Sequence, residues 1–236
     1  MAVAAVRAAA ADAAVTFLWV LCVSTLGAST AAVTSYLRIH EGIHYALLVT
    51  VSLLSVLLFA FNLLCDALAA FHAAGLSSPR HSSLFPLALR FPAQAAGAVG
   101  GAMAISELMP EQYKHMLGGP SLKVDLHTGA AAELVLTFVI TLAVLWIIVK
   151  GPRNPIVKTW MLSISTVCLV LTGAAYTGPS MNPANAFGWA YVNNRHNTWE
   201  QFYVYWICPF VGAVLAAWVF RAVFPPPAPK PKAKKA

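Results

Sequence analysis

The sequence predicts an all-α membrane protein with six transmembrane helices in an inverted 3+3 repeat and a re-entrant half-helix after the fifth. Three observations lead to this prediction. The chain has 236 residues, of which 59% are hydrophobic and 10% charged, whereas soluble domains carry roughly 25% charged residues. Six apolar runs reach the roughly 20 residues that a spanning helix needs. The first three runs resemble the last three, and a short polar stretch separates the fifth from the sixth.

The six runs divide the chain into one transmembrane domain at residues 1–224, followed by a Pro/Lys-rich tail at 225–236. Repeat one covers about 8–108 and repeat two about 128–223. Prolines in the third span are compatible with a membrane helix, because neighbouring helices can satisfy the freed backbone groups. Glycines in the third and sixth spans allow close helix contacts. The predicted spans are Ala8–Val33, Tyr45–Asp66, Leu84–Leu108, Thr128–Val149, Ile156–Ala175 and Phe202–Val223.

The distribution of basic residues predicts that both termini are cytosolic. With this orientation, eleven Lys and Arg residues lie on the cytosolic side and four on the other, as the positive-inside rule requires. Four of the eleven are the tail lysines between Lys230 and Lys235, which an anionic membrane surface explains better than nucleic-acid binding does. The four cysteines lie in apolar runs and suggest free thiols, with neither a disulfide framework nor a metal site.

Internal similarity predicts the inverted arrangement. Residues 10–17 (AADAAVTF) and 131–138 (AAELVLTF) share a carboxylate, a threonine and a phenylalanine at one offset of 121, and Gly97-Ala98-Val99 recurs as Gly212-Ala213-Val214. Three spans per repeat is an odd number, so the second repeat runs in the opposite sense. Chance similarity between apolar helices is the alternative. The shared carboxylate argues against it, because acids inside a membrane are rare and costly.

The two shared acids, Asp12 and Glu133, each need a partner. We expect them to accept hydrogen bonds from the irregular backbone of a re-entrant loop in their repeat. A proton relay is a second possibility, which a lone acid per repeat and the lack of a histidine chain disfavour. A third possibility for Asp12, which lies near the start of its helix, is that its side chain extends to the membrane interface. This explanation is weaker for Glu133.

The stretch from Thr177 to Asn185 predicts a turn that opens a short helix. Gly178 and Pro179 break the preceding helix, Asn182 is a good N-cap, and Pro183 suits the first helical position. The helix, Ala184–Tyr191, would be only about 12 Å long and cannot cross a bilayer. At membrane depth its N-terminus would present free N–H groups and a positive dipole end. An ordinary turn outside the membrane is the alternative.

These features together resemble the aquaporin (major intrinsic protein) family, and within it the plant small basic intrinsic proteins of type 1. Besides the repeat and the motif Ser180–Ala184, the resemblance rests on segments spread over nearly the whole chain. It implies a passive channel for water or a similarly small neutral solute, with no enzymatic activity and no cofactor. It also implies a homotetramer in the endoplasmic reticulum membrane. The segments are Lys114–Met116, Gly118–Leu122, Asp125–Gly129, Tyr176–Pro179, Phe187–Tyr191, His196–Trp199, Tyr203–Trp206 and the tail.

The resemblance also assigns pore residues. Asn182, Pro183 and Ala184 match the second Asn-Pro-Ala motif, whose asparagine donates to passing water. The constriction positions match Leu54 (less securely Leu53), Val170, Pro179 and Asn185. The last stands where aquaporins usually have arginine. The constriction is therefore expected to be apolar and to lack a cation, which leaves the range of solutes open.

The first repeat departs from the family, because no Asn-Pro pair lies between Asp66 and Leu84. We expect span two to continue as helix past Asp66, or to end in an irregular segment near Ala67–Phe71. The first half-helix would then be truncated or displaced, and Asp12 would lose its partner. The alternative function is a non-conducting or impaired short variant that associates with intact subunits. A membrane enzyme is not supported, since no paired metal ligands or Ser/His/Asp spacing occur.

Overall fold

The computed structural model describes residues 2–38, 43–75 and 84–225, of which 2–4, 66–75 and 84–88 are described by their backbone alone. All regular structure in these residues is helical. A 3₁₀ turn, Glu111–Met116, precedes the second repeat, and a π-helical turn, Tyr203–Ile207, links the last two helices. The α-helices are α1 (Ala2–Ser24), α2 (Leu26–Tyr36), α3 (Ile43–Gly75), α4 (Leu84–Leu108), α5 (Leu126–Val149), α6 (Pro155–Gly173), α7 (Pro183–Val192), α8 (Trp199–Phe202) and α9 (Cys208–Val223).

Five of the six predicted spans are long and apolar enough to cross a membrane among the residues described. They are Ala5–Ser24, Ile43–Cys65, Leu126–Val149, Pro155–Gly173 and Trp199–Val223. The remaining one, α4, has the predicted bounds but carries Arg90 and Gln94 on its first half. The first predicted span is divided at Thr25 into α1 and α2. The sixth consists of α8, the π-helical turn and α9.

Equivalent helices pack together in the two repeats: α1 lies along α4, and α5 lies along α9. Both contacts depend on a glycine. A Cβ atom on Gly97 would overlap the carbonyl oxygen of Ala13, and one on Gly212 would overlap that of Leu134. Ala13 and Leu134 differ by the offset of 121 that relates the acids of the two repeats. The same backbone contact therefore occurs twice, as an inverted 3+3 repeat requires.

The two repeats meet where α3 packs against α6. Ser55 and Ser163 are both buried there, and the hydroxyl of Ser55 donates to that of Ser163 at 2.9 Å. A second contact brings α7 against α4, with Gly188 on the carbonyl group of Ala98. This contact places the short helix of repeat two beside the third span of repeat one.

The second span continues past Asp66 as predicted, since α3 is a single helix of 33 residues ending at Gly75. At 1.5 Å per residue it measures about 50 Å, against about 30 Å for the hydrocarbon core of a bilayer. No break separates a short helix from the span between Ile43 and Gly75. Residues 76–83 lie outside the described part of the chain.

Candidate functional site

The re-entrant loop connects the end of α6 to the start of α7. It turns with two residues in the left-handed region, Gly178 (φ 52°) and Met181 (φ 48°). The carbonyl oxygen of Thr177 accepts from the backbone N–H of Ser121 at 2.9 Å and from the Tyr205 hydroxyl at 3.1 Å. The loop is therefore attached both to the segment before α5 and to the last span.

Asn182 caps α7. Its Oδ1 accepts from the backbone N–H groups of Ala184 at 3.0 Å and Asn185 at 3.4 Å, and Pro183 occupies the first helical turn. The observed helix, Pro183–Val192, exceeds the predicted one by one residue at each end. Because the cap uses the side-chain oxygen, the amide Nδ2 is the donor left over. No partner for Nδ2 occurs among the residues described.

Glu133 holds the loop from behind. Its carboxylate is fully buried in α5. Oε1 accepts from the Thr177 hydroxyl at 2.9 Å and from the Ser180 N–H at 3.0 Å, and Oε2 accepts from the Met181 N–H at 3.1 Å. Three donors on one carboxylate satisfy a buried charge that would otherwise be expensive. The turn that precedes Asn182 is thereby set by an acid 49 residues earlier in the chain.

Asp12, the equivalent acid of repeat one, has different partners. The guanidinium of Arg90 donates to both of its carboxylate oxygens, and Gln94 Nε2 donates to one of them at 3.2 Å. The expectation that Asp12 lacks a partner is therefore wrong, whereas its support of a loop in repeat one stays a prediction, because residues 76–83 lie outside the described part of the chain. The pair forms because α1 and α4 pack closely and bring residues 78 positions apart into contact.

A cavity of about 350 Å³ opens in front of the re-entrant loop. Three of the four predicted constriction residues, Val170, Pro179 and Asn185, line it together. Most of the remaining lining comes from the junction of α1 and α2 and from the segment 116–120. Asn185 Nδ2 donates to the hydroxyl of Ser180 at 3.4 Å, while its Oδ1 is buried without a partner among the described residues.

The fourth predicted constriction residue, Leu54, is not among the residues that line this cavity. It is 3% exposed and packs with Val51 and Val167 between α3 and α6. Val51, Leu54 and Ser55 are spaced as one face of a helix, and that face is the one turned toward α6. The structure therefore does not bring Leu54 together with the other three.

Sequence reasoning missed Arg90 and Tyr205 as parts of these networks. Arg90 carried a signal, because an ionisable residue inside a predicted span needs a partner. Asp12, which the missing turn was expected to leave without a partner, lies in the same repeat and could have been proposed as that partner. Tyr205 gave no such signal, since tyrosine is common in membrane helices and its bond to the Thr177 carbonyl group depends on how α9 and its π-helical turn are rotated.

The chain is similar to known proteins over nearly its whole length. The model of the major intrinsic protein family matches residues 1–220. The chain is similar to aquaporin SIP1-1 of Oryza sativa subsp. japonica, at 96% identity over 246 aligned positions that cover 100% of each chain. It is also similar to aquaporin SIP1-2 of Zea mays (81% identity, 98% of each chain). The aquaporin SIP1-1 of Arabidopsis thaliana is 48% identical over 97% of each chain.

The fold resembles the X-ray structure of the aquaglyceroporin from Plasmodium falciparum. The TM-score is 0.62 at 20% sequence identity, over 93% of this chain and 96% of that one. Both the full-length similarity and the arrangement of helices thus place the two inverted repeats and the capped half-helix in one known architecture. The chain belongs to the major intrinsic protein family.

Proposed function

We propose that the chain is a passive membrane channel that conducts water or a similarly small neutral solute in single file past Asn182. One observation supports this most: a short helix, capped by Asn182 and held by the buried Glu133, begins beside the cavity lined by Val170, Pro179 and Asn185. Family membership supports a channel in general, and the names of the relatives support water as a solute.

In this mechanism a solute enters the cavity and gives up most of its hydrating water. Asn182 Nδ2 donates to its oxygen, and exposed carbonyl groups of the re-entrant loop accept from its hydrogens. The positive dipole end of α7 opposes the passage of cations. Because Oδ1 of Asn182 is engaged in the cap, the amide keeps one orientation and does not exchange donor for acceptor during passage.

Val170 and Pro179 contribute apolar walls to the proposed constriction. Such walls cannot replace the hydration of an ion, so charged solutes face a large cost of dehydration. Asn185 adds an amide where related channels carry a guanidinium, which weakens electrostatic exclusion. The constriction should therefore be less strict than that of a pure water channel. Leu54 is not retained in it.

The first repeat is the basis of the alternative function, a non-conducting or impaired short variant. The alignment to the rice relative has 246 positions against 236 residues in this chain, so ten positions are gaps here. The ten positions fall, in this proposal, between Asp66 and Leu84, where the sequence has no Asn-Pro pair. Membership of the family and the likeness in fold favour the conducting form over the alternative.

The test is water permeability of vesicles reconstituted with the full chain, measured by stopped-flow light scattering. Asn182→Ala loses both the cap, at about 1 kcal/mol, and the pore donor, so permeability should fall. Asn182→Asp keeps an acceptor for the cap but loses the amide donor, so it should also conduct poorly while folding better than the alanine variant. The exposed Asn197→Ala is the matched control and should conduct like the wild type.

Two results would count against the proposal. Wild-type vesicles no more permeable than protein-free ones would favour the non-conducting alternative. Equal permeability in the wild type and both Asn182 variants would remove Asn182 from the mechanism. A chain with an Asn-Pro-containing turn inserted after Asp66, measured beside the wild type, reports how much the first repeat contributes.

The channel resides, in this proposal, in the endoplasmic reticulum membrane as a homotetramer, with both termini in the cytosol. The basic tail supports this location, because lysines close to a cytosolic C-terminus are compatible with retention there. Replacing Lys232, Lys234 and Lys235 with alanine should release the protein to later membranes, as seen by microscopy of a tagged chain. An unchanged location would contradict retention by the tail, and the mass of the purified detergent complex tests the tetramer.

A further inference from the structure

Four basic side chains lie where three spans of the molecule end. Each is within three residues of the end of α5, the start of α6 or the end of α9. Two contacts bring these ends together. The Nζ atom of Lys150 lies 5.2 Å from the centre of the Phe224 ring, and Nζ of Lys158 donates to the carbonyl oxygen of Ile148 at 3.3 Å. The four residues of this basic cluster are Lys150, Arg153, Lys158 and Arg221.

The connection that carries Lys150 and Arg153 is short and is held at both ends. It consists of the five residues 150–154 between α5 and α6. The backbone N–H groups of Lys150 and Gly151 both donate to the carbonyl oxygen of Trp146, at 2.8 and 2.9 Å. At the other end, Asn154 caps α6 with its side-chain oxygen. Both cations are therefore presented by backbone whose position is set by the two helices.

The part of the chain that carries the basic cluster supplies no carboxylate for it. Residues 134–199 and 201–236 contain neither Asp nor Glu. Of the two acids that remain in repeat two after α5 begins, Glu133 is buried behind the re-entrant loop, and Glu200 lies at the start of the last span. None of the four cations has an ion pair within the described residues. Like charges repel one another, so an anion from outside the chain would relieve this repulsion.

The basic cluster lies at the boundary of the apolar part of the molecule. The spans Leu126–Val149, Pro155–Gly173 and Trp199–Val223 are each long and apolar enough to cross a membrane, and the cations flank their ends. Next to the cations, the side chains of Val149, Ile156 and Val223 are more than half exposed. Cations beside an apolar rim match a phospholipid, which places its phosphate at the interface and its acyl chains along the helices.

We propose that the basic cluster binds a phospholipid whose headgroup is a phosphomonoester, in the leaflet next to it. Such a headgroup carries about 1.5 to 2 negative charges at neutral pH and three acceptor oxygens. The guanidinium groups of Arg153 and Arg221 can each donate two parallel hydrogen bonds to a phosphate, whereas the lysines act as point charges. A serine or ethanolamine headgroup also carries an ammonium group, which would meet only cations here.

The experiment titrates the full chain in detergent with dioctanoyl phosphatidic acid and counts the bound lipid by native mass spectrometry. Wild type should bind this lipid saturably and more tightly than dioctanoyl phosphatidylserine. Lys150→Gln and Arg153→Gln should each weaken the binding about fivefold, the expected effect of removing one basic residue beside an anionic lipid. Arg153→Lys keeps the charge but loses the paired donors. It should therefore weaken binding of phosphatidic acid and leave binding of phosphatidylserine unchanged.

The controls separate the basic cluster from basic residues elsewhere. Arg195→Gln removes an exposed arginine outside the cluster and should bind like the wild type. Replacing the tail lysines Lys232, Lys234 and Lys235 with alanine removes more charge and should also leave the binding unchanged. Glycerol 3-phosphate has the same phosphate without acyl chains. It should bind at least about tenfold more weakly, because each buried CH₂ group of a chain adds about 0.8 kcal/mol.

Each outcome decides the proposal. Weaker binding in Lys150→Gln or Arg153→Gln, with unchanged binding in Arg195→Gln, supports it, and either variant suffices if the other does not fold. Equal affinity for the two lipids, or an equal loss in Arg195→Gln, means attraction to charge in general and overturns it. A loss confined to the tail variant places the lipid at the tail, and tight binding of glycerol 3-phosphate makes the occupant a soluble phosphate; both overturn it. Because lipid binding is measured without any flux, the result does not depend on whether the chain conducts.

Discussion

The two repeats of this chain begin with the same arrangement of a carboxylate, a threonine and a phenylalanine, but the carboxylate has different partners in each. In repeat two, Glu133 is buried behind a re-entrant loop and accepts from Thr177, Ser180 and Met181. In repeat one, Asp12 pairs with the side chains of Arg90 and Gln94, and α3 runs unbroken to Gly75. One acid organises irregular backbone, whereas the other joins two helices.

The difference shows what a carboxylate at this position requires. A buried acid in a membrane protein needs donors, and either backbone N–H groups or cationic side chains can supply them. Repeat two supplies backbone, because Gly178 and Pro179 break the helix within reach of Glu133. Where no such break occurs before Gly75, the donors of Asp12 come from the neighbouring span instead. The glycine contacts of α1 with α4 and of α5 with α9 are the same in both repeats. The packing of these helices therefore does not depend on whether backbone or side-chain groups donate to the acid.

The largest expected effect comes from removing the acid of repeat two. Glu133→Ala leaves three donors without an acceptor and should lower the free energy of unfolding by at least about 3 kcal/mol. Water permeability should be lost with it, because Asn182 would no longer be held. The measurements are unfolding of the purified chain in detergent and stopped-flow permeability of vesicles.

Asp12→Ala is the matched change in repeat one. Its partner Arg90 is half exposed, so the cost should be about 1 kcal/mol or less. Losses of similar size in the two variants would mean that repeat one depends on its acid as strongly as repeat two, contrary to the comparison.

The shared glycines should give intermediate and nearly equal effects. Gly97→Ala forces a Cβ onto the backbone of Ala13, and Gly212→Ala forces one onto Leu134, so each should cost about 1–3 kcal/mol. Gly27→Ala is the control, because apart from its chain neighbours and its own helix backbone no atom lies within 4 Å of the Cβ position. The midpoint of thermal unfolding in a common detergent measures all three. If only one of the two variants is destabilised, the helix contacts of the repeats are not equivalent.

The smallest effect concerns the start of repeat two, where Asp125 caps α5. Its carboxylate accepts from the N–H groups of His127 at 3.1 Å and Thr128 at 3.0 Å. The pKa of Asp125 lies below its ordinary 3.8. The largest cause is a hydrogen bond from the side chain of Thr128, and the two backbone N–H groups lower the pKa further. Because the pKa of this carboxyl is lower in the folded state, the stabilisation is fully present at pH values above its pKa in the unfolded chain. It is lost as the pH falls through its pKa in the folded protein.

Asp125→Asn should keep the cap and remove that pH dependence. Wild type should therefore lose slightly more stability than the variant on acidification from neutral pH to below the pKa of the folded carboxyl, as measured by unfolding in the same detergent. Parallel losses in the two proteins would show that the cap does not titrate in this range. The effect is small because Asp125 is exposed to solvent.

The sequence by itself determined the features that depend on residues close together in the chain, namely the extent and the ends of individual helices. Hydropathy determined the spans, because each helix must satisfy its own backbone in lipid. Capping chemistry determined the start of α7 at Asn182 and Pro183. The lack of any break between Ile43 and Gly75 determined that α3 continues. The common offset of Asp12 and Glu133 determined that the chain repeats itself.

Only the tertiary structure decided which distant groups meet. The pairing of Asp12 with Arg90 depends on the register of α1 against α4. The burial of Leu54 depends on how α3 is rotated against α6, since about 100° of rotation per residue separates a core position from a pore position. The cavity in front of the re-entrant loop depends on how the α1–α2 junction and the segment 116–120 lie against that loop. Rotation and register are set by side chains far apart in the chain, and no local pattern contains them.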